Sequence, residues 1–290
     1  MFYKIKNKLN QLSEKKFNQN IIDRNKKKIS KKKFTNTKDY WNTVSYEILK
    51  AANPKNEKYF FRNWAVILHL ASEDYKLGYK FIDKIKSHKL GDELLNKCQT
   101  PAWGSPFLLK KFPFLSPTTA SHLVNLISIY DAFNDDFNNY KHVIDFGGGY
   151  GGLAKCFCEI SKNIKINIID LERMLKVQKK YILKTSNYQK RVFFFKNIKS
   201  LNKKYCLFNA SFSFSEVPLN ERKNIERLIM NKCKRLHIIF QDKFNGVDNI
   251  KYMNEFALKL KEKNWKIFFK PYGYESHSKF IMCGVNKKNF

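Results

Sequence analysis

The run His142-Val-Ile-Asp145-Phe-Gly147-Gly-Gly149-Tyr-Gly151-Gly-Leu-Ala154 decides the fold. Its first five residues, His142–Phe146, read as a short apolar strand that leads straight into a bend of five glycines in six positions. Residues 153–160 then carry the apolar spacing of a helix. Downstream the same grammar repeats. Strands are expected at 165–170, 191–195, 205–210, 236–241, 265–270 and 279–285, and helices at 172–183, 220–230 and 250–263. Strands alternating with helices of this length specify an α/β, doubly wound, mostly parallel sheet covered on both faces. The short link between the last two of its seven strands makes the final strand antiparallel.

Upstream the pattern is helical. Tyr40-Trp41-Val44-Ile48-Leu49 and Phe60-Trp64-Ile67-Leu68 place apolar residues three and four apart. Pro101-Ala-Trp-Gly-Ser-Pro106 interrupts them, and Ser116-Pro-Thr-Thr opens a further helix with a hydroxyl available as cap. The chain divides into a basic arm (1–38), a helical region (39–139) and the sheet domain (140–290). The arm holds 13 Lys or Arg against Glu14 and Asp23, with Ile5, Leu9 and Leu12 at helical spacing. It reads as a solvated arm or, as the alternative, as a segment that touches an anionic membrane surface.

The 290 residues are 43% hydrophobic, enough for a full core, and 26 Phe with 15 Tyr exclude a disordered chain. The longest nearly apolar run, 64–71, is far short of the ~20 residues of a membrane span, and no signal peptide follows the basic start. A cytoplasmic protein is the expectation. The net charge of +31 comes from 49 Lys and only 7 Arg, beside 30 Asn. Phosphate and base readers favour the planar fork of Arg, so a nucleic-acid partner is disfavoured. None of the six Cys forms a C-x-x-C pair or stands at zinc spacing from a His. No metal site is expected; Asp135-Asp136 reads as part of a solvated loop.

Two templates overlie the glycine bend. Gly147, Gly149 and Gly152 fit G-x-G-x-x-G, the dinucleotide fingerprint. Asp145, Gly147, Gly149 and Gly151 fit D-x-G-x-G-x-G, the first motif of S-adenosylmethionine-dependent methyltransferases. Electrostatics separates them: a pyrophosphate is repelled by a carboxylate two residues before the first glycine, whereas a sulfonium with an α-ammonium group is attracted. Asp170, at the end of the second strand, suits a ribose diol in either case.

The sequence resembles class I methyltransferases, and more narrowly the sugar O-methyltransferases of bacterial surface-polysaccharide clusters. The resemblance spans residues 103–285. It rests on Trp103-Gly-Ser-Pro106, Ser116-Pro-Thr-Thr119, VIDFGGGYGGLAK (143–155), IIDLERMLKVQKKYIL (168–183) and Asn209-Ala-Ser-Phe-Ser-Phe-Ser-Glu216. Relatives often carry Pro after the Asp-Leu of the second strand, where this chain has Glu172. The resemblance implies a Rossmann-like sheet that binds S-adenosylmethionine. Asp145, Gly147, Gly148, Gly149 and Gly151 would then line the methionine end, Asp170 hold the ribose and Asn197 face the adenine.

Ligands of such sheets bind beyond the carboxyl ends of the strands, where residues 209–218 follow the fourth strand. Phe212 or Phe214 suits packing on a sugar face, and Glu216 is either a general base or a helix-dipole carboxylate. His277, in a polar turn between the last two strands, is the second candidate base; His122 is placed near the cleft, and His237 reads as structural. Trp103 belongs either to a lid or to a packed hinge. The expected activity is methylation of a sugar or sugar-nucleotide hydroxyl. The rivals are another small-molecule acceptor, a nicotinamide enzyme, and an RNA-binding methyltransferase or RNA-binding module that uses the arm.

Overall fold

The computed structural model describes residues 37–72, 74–272 and 278–287. The expected basic arm, apart from Thr37 and Lys38, and His277 lie outside the described residues.

Among the described residues five α-helices precede the sheet: α1 (Thr37–Ala51), α2 (Trp64–His69), α3 (Tyr75–Lys86), α4 (Gly91–Lys97) and α5 (Pro117–Phe133). Their starts follow capping chemistry. Asp74 accepts from the Leu77 amide at 3.0 Å, and Ser116 Oγ from that of Thr119 at 3.0 Å, with Pro117 in the first turn of α5. α5 ends at Asn134 in the left-handed conformation (φ 46°).

The sheet strands are β1 (His142–Phe146), β2 (Lys165–Ile169), β3 (Val192–Phe195), β4 (Tyr205–Ser211) and β5 (Cys233–Gln241). A hairpin of β6 (Lys243–Phe244) and β7 (Val247–Asp248) turns through Asn245-Gly246, both at positive φ. β8 (Trp265–Pro271) and β9 (Lys279–Asn286) complete the sheet. Its order is β3-β2-β1-β4-β5-β9-β8, parallel except for β9, which pairs antiparallel with both β5 and β8. The chain winds outward from β1 to β3 and then returns to β4 on the other side of β1. The helices after β1 and β4 therefore cover opposite faces, and a crevice opens above the β1–β4 junction.

α6 (Gly152–Ile160) and α7 (Glu172–Thr185) share one face with the N-terminal helices, and a single core runs from Val44 and Phe81 through Leu123 and Phe157 to Val143 and Ile166. The four-residue helix α8 (Ser213–Glu216) follows β4. α9 (Leu219–Lys232) and α10 (Asn249–Glu262) cover the other face through Ile225, Ile229, Met253 and Phe256. The segment around Trp103 is packed in place: the indole lies tilted against Phe60 at 5.0 Å and meets Tyr181 edge-on at 5.8 Å. Gly104 (φ 77°) lies where a Cβ would come within 2.9 Å of the Phe61 ring. Among the described residues no helix is long and apolar enough to cross a membrane.

Candidate functional site

A cleft of about 1130 Å³ opens at the carboxyl ends of the central strands. Its floor is the glycine bend and its walls are the ends of β2 and β4; the N-terminal helices contribute Tyr40, His69 and His122 opposite. Two glycines of the bend are required for different reasons. At Gly147 (φ 67°) a Cβ would sit 2.2 Å from Ser213 Cβ, because the bend is packed against the first turn of α8; Ser213 Oγ donates to the Phe146 carbonyl. At Gly149 (φ 58°) the nearest atom to an added Cβ is Leu70 Cδ2 at 3.9 Å, so here the bare backbone borders the cleft.

Asp145, Asn209 and His237 occupy one cross-sheet row, since β1, β4 and β5 pair in register at these positions. Side chains of one row lie on one face at neighbouring-strand distance, and they form a chain of hydrogen bonds. Asn209 Nδ2 donates to Asp145 Oδ1 at 3.0 Å. The Asn209 carbonyl oxygen lies 3.1 Å from His237 Nδ1, and His237 Nε2 lies 3.0 Å from Ser128 Oγ on α5. Asp145 is 3% exposed, and its Oδ2 is buried without a hydrogen-bond partner. Burial lifts its carboxyl to about 6, opposed by the Asn209 bond.

Asp170 stands just past β2. Its Oδ1 accepts from the Leu171 amide at 2.8 Å and its Oδ2 from Gln178 Nε2 at 2.6 Å. Burial raises it to about 7 against these two bonds, and the neighbouring Asp145 charge adds to the rise. Gln178 Nε2 also donates to the Gly149 carbonyl at 2.9 Å, tying the bend to Asp170.

On the far side of the bend, Phe212 has the strained φ of +70° and lines the cleft, its ring under the Lys279 ammonium at 5.0 Å. α8 then delivers Glu216, which accepts from Gln241 Nε2 at 3.3 Å; Ser215 Oγ lies 2.9 Å from Gln241 Oε1. Burial raises Glu216 to about 7, with the Gln241 bond opposing. Arg222, 1% exposed, clamps this turn from behind: Nε donates to the Val217 carbonyl at 2.7 Å and Nη2 to that of Ser215 at 2.6 Å, so the carbonyls of both neighbours of Glu216 are held. Its third bond goes to Asn249 Oδ1 at 3.0 Å, and its guanidinium stacks over Tyr252 at 4.5 Å.

Of the expected site residues, Asp145, Gly147, Gly148, Gly149, Asp170, Asn197 and Glu216 all line the one cleft. Gly151 (φ 96°) sits behind it as the residue before α6, against Tyr181 and Gln178. Asn197 Oδ1 is engaged with the Lys199 amide at 2.8 Å, capping a short turn. Phe214 is not a cleft residue: it is fully buried between Phe208, Phe256 and Tyr252, because the turn of α8 sends it into the core and leaves Phe212 outside. His122 lines the cleft, held at about 4 by burial. His237 is fully buried, as its alternation within a strand implied. Asp135 forms an ion pair with Arg235, while Asp136 caps a turn.

Gln178, Gln241, Arg222 and Tyr40 escaped the sequence reading. Amides and a buried arginine carry no motif, although Gln178, two helical turns after Asp170, falls on the helix face that returns to it. The Asn-Gly turn of β6–β7, which places Phe244 at the cleft, had a legible signal. Among the described residues one trio of potential metal ligands lies together, Cys98, Cys156 and Glu159, outside the cleft; there Glu159 already holds the Lys155 ammonium.

The chain matches no family model and no curated protein. Similar solved structures include the methyltransferase domain of bacterial CtHen1 (14% identity, 56% of this chain and 95% of that chain, TM-score 0.44). Magnesium protoporphyrin IX methyltransferase (ChlM) from Synechocystis PCC 6803 with bound SAM is 14% identical over 58% of this chain and 83% of its own, at a TM-score of 0.44. The glycopeptide N-methyltransferase MtfA, complexed with S-adenosyl-L-methionine, is 9% identical over 50% and 81%, at 0.41. The strand order of this chain, with helices on both sides, is that of a doubly wound, Rossmann-like sheet of seven strands, with N-terminal helices added.

Proposed function

We propose that this protein is an S-adenosylmethionine-dependent O-methyltransferase whose acceptor is a sugar hydroxyl. The observation that carries the reading is Asp145 Oδ2, a carboxylate oxygen withdrawn from water, given no donor, and set beside a backbone stripped of side chains. Such an oxygen is costly to leave unpaired, and an ammonium group supplies what it lacks. Asp170 retains lone pairs on both oxygens for a ribose diol. When bound, S-adenosylmethionine supplies an electrophilic methyl group on a cationic sulfur.

The chain's own residues do the rest. The cleft holds the acceptor hydroxyl in line for displacement, which is where most of the rate enhancement of such a transfer resides. Glu216, lifted to about 7 by burial, takes the hydroxyl proton as the new O–C bond forms. Ser211, Asn125 and Gln241 offer polar contacts, and Phe212 and Trp41 offer aromatic faces, the mixture that suits a polyol with apolar C–H faces. The resemblance of residues 103–285 extends the reading to surface-polysaccharide synthesis.

The test is calorimetric titration of the full chain with S-adenosylmethionine, S-adenosylhomocysteine and NAD, followed by transfer of labelled methyl to a panel of sugar nucleotides, free sugars and RNA. Micromolar binding of the first two ligands and label on a sugar are expected. Binding of NAD alone, or label only on RNA, refutes the reading.

A further inference from the structure

We infer that Asn125 on α5 completes the subsite that takes the ligand's α-ammonium group, so that the helical region before the sheet holds the cofactor as well as the acceptor. The inference rests on the reading above that Asp145 meets the cationic end of S-adenosylmethionine.

α5 carries a polar stripe toward the cleft. Thr118, Ser121, His122 and Asn125 recur three and four residues apart, so they share a helix face, and all four line the cleft. Strand register says where that face comes down. Asp145 is level with Asn209 and Phe146 with Ala210, so Ser211, the next residue of β4, stands level with Gly147. Ser211 is two residues beyond Asn209 and shares its side of the sheet. Ser128 of α5 reaches this side at His237, in the Asp145 row, with its Oγ 3.0 Å from Nε2. Asn125, three residues earlier on the helix, donates from Nδ2 to Ser211 Oγ at 3.3 Å. The amide therefore lies one step beyond the Asp145 row, over the start of the glycine bend.

Asn125 is only 4% exposed, yet its Oδ1 has no hydrogen-bond partner among the described residues. Asp145 Oδ2 is in the same condition. Two acceptor oxygens, both shut away from water, thus border one bend, and each is costly to leave unpaired. The pair selects its ligand by hydrogen count. A carboxylate or phosphate brings only acceptors. A hydroxyl brings one hydrogen and satisfies one oxygen. A primary ammonium brings three, carries the charge that a carboxylate favours, and satisfies both. The NH₂ end of Asn125, bonded to Ser211, stays on the acceptor side of the cleft.

The test is calorimetric titration of the full chain and its Asn125→Leu and Asn125→Asp variants at pH 7.5, with folding checked by near-UV circular dichroism. Three probes are used: S-adenosylhomocysteine, its decarboxylated analogue, which keeps the amine, and 5′-methylthioadenosine, which lacks the whole amino-acid end. Asn125→Leu is expected to weaken the first two by about ten- to hundredfold and to leave the third within about twofold. Asn125→Asp, which can still accept, is expected to bind the first two within about threefold of the wild type. If Asn125→Leu does not fold, Asn125→Ala takes its place. An equal loss on all three probes, or no loss on the first two, overturns the assignment and leaves the cofactor reading intact. So does an Asn125→Asp variant that binds S-adenosylhomocysteine more weakly than Asn125→Leu, because the amide would then be donating to the ligand's carboxylate. A wild type that binds none of the three overturns the cofactor reading, and this inference with it.

Discussion

Asp145 and Glu216 face the same cleft from either side of the glycine bend, and burial lifts both, yet they are held in opposite ways. Asp145 lies within a strand, and its partner stands beside it on the next strand in register; the sheet fixes it. Glu216 belongs to a four-residue helix, accepts one long side-chain hydrogen bond, and depends on a buried arginine that grips the backbone on either side. The fixed carboxylate suits a ligand that never changes. The one on a clamped turn can be re-aimed by substitutions in a short segment without disturbing the sheet, which is how one fold comes to serve many acceptors.

The comparison can be broken most sharply at Glu216. Glu216→Gln should lower turnover by roughly 10²- to 10⁴-fold while calorimetric affinity for S-adenosylmethionine stays within about twofold; a parallel loss of affinity would mean that the two sides do not work separately. Next in size is the contrast between two glycines. Gly147→Ala combines the strain of a positive φ with a clash against Ser213, about 3 kcal/mol together, and should lower the melting temperature by several degrees and disturb both sides at once. Gly149→Ala meets only an ordinary contact with Leu70 at 3.9 Å, so about 1–2 kcal/mol of backbone strain is all that is expected.

The pH dependence follows from the raised carboxyls. In the ligand-free protein Asp145 titrates near 6 and Asp170 near 7, above the ~4 of an unfolded chain. Between pH 4 and 7 the native state therefore binds more protons than the unfolded state, and this contribution to stability is lost as pH rises. A cationic ligand beside Asp145 favours its ionised form, so affinity should rise about tenfold from pH 5 to 7, with a proton released on binding. Affinity that falls over this range in calorimetry would reverse the assignment. The smallest effect is expected from Ser215→Ala, which removes the hydroxyl beside Gln241: turnover should fall about fivefold, with cofactor affinity unchanged in the same titration.

The sheet was legible because strand and helix periods are written locally. The seven expected strands stand within three residues of their observed limits, and the glycine bend marked the cleft. What escaped was placed by tertiary register. Nothing local to Asn209 or His237 says that they share a row with Asp145; that follows from which strands become neighbours. Phe212 and Phe214 are alike in sequence, yet the positive φ at Phe212 turns one toward the cleft and the other into the core. Arg222 reads as an exposed helix charge in a Lys-rich chain, and only the packing of α10 and Tyr252 over it removes it from water.

The core that runs without interruption from Val44 to Ile166 carries a consequence for how the molecule comes apart. Helices before the sheet and helices within it bury each other's apolar surface, so on this face of the sheet neither half keeps its core dry alone. Heating should melt them together, in one calorimetric transition. A chain severed near residue 139 would present a broad greasy flank to solvent and aggregate, where an appended lid would simply have come away.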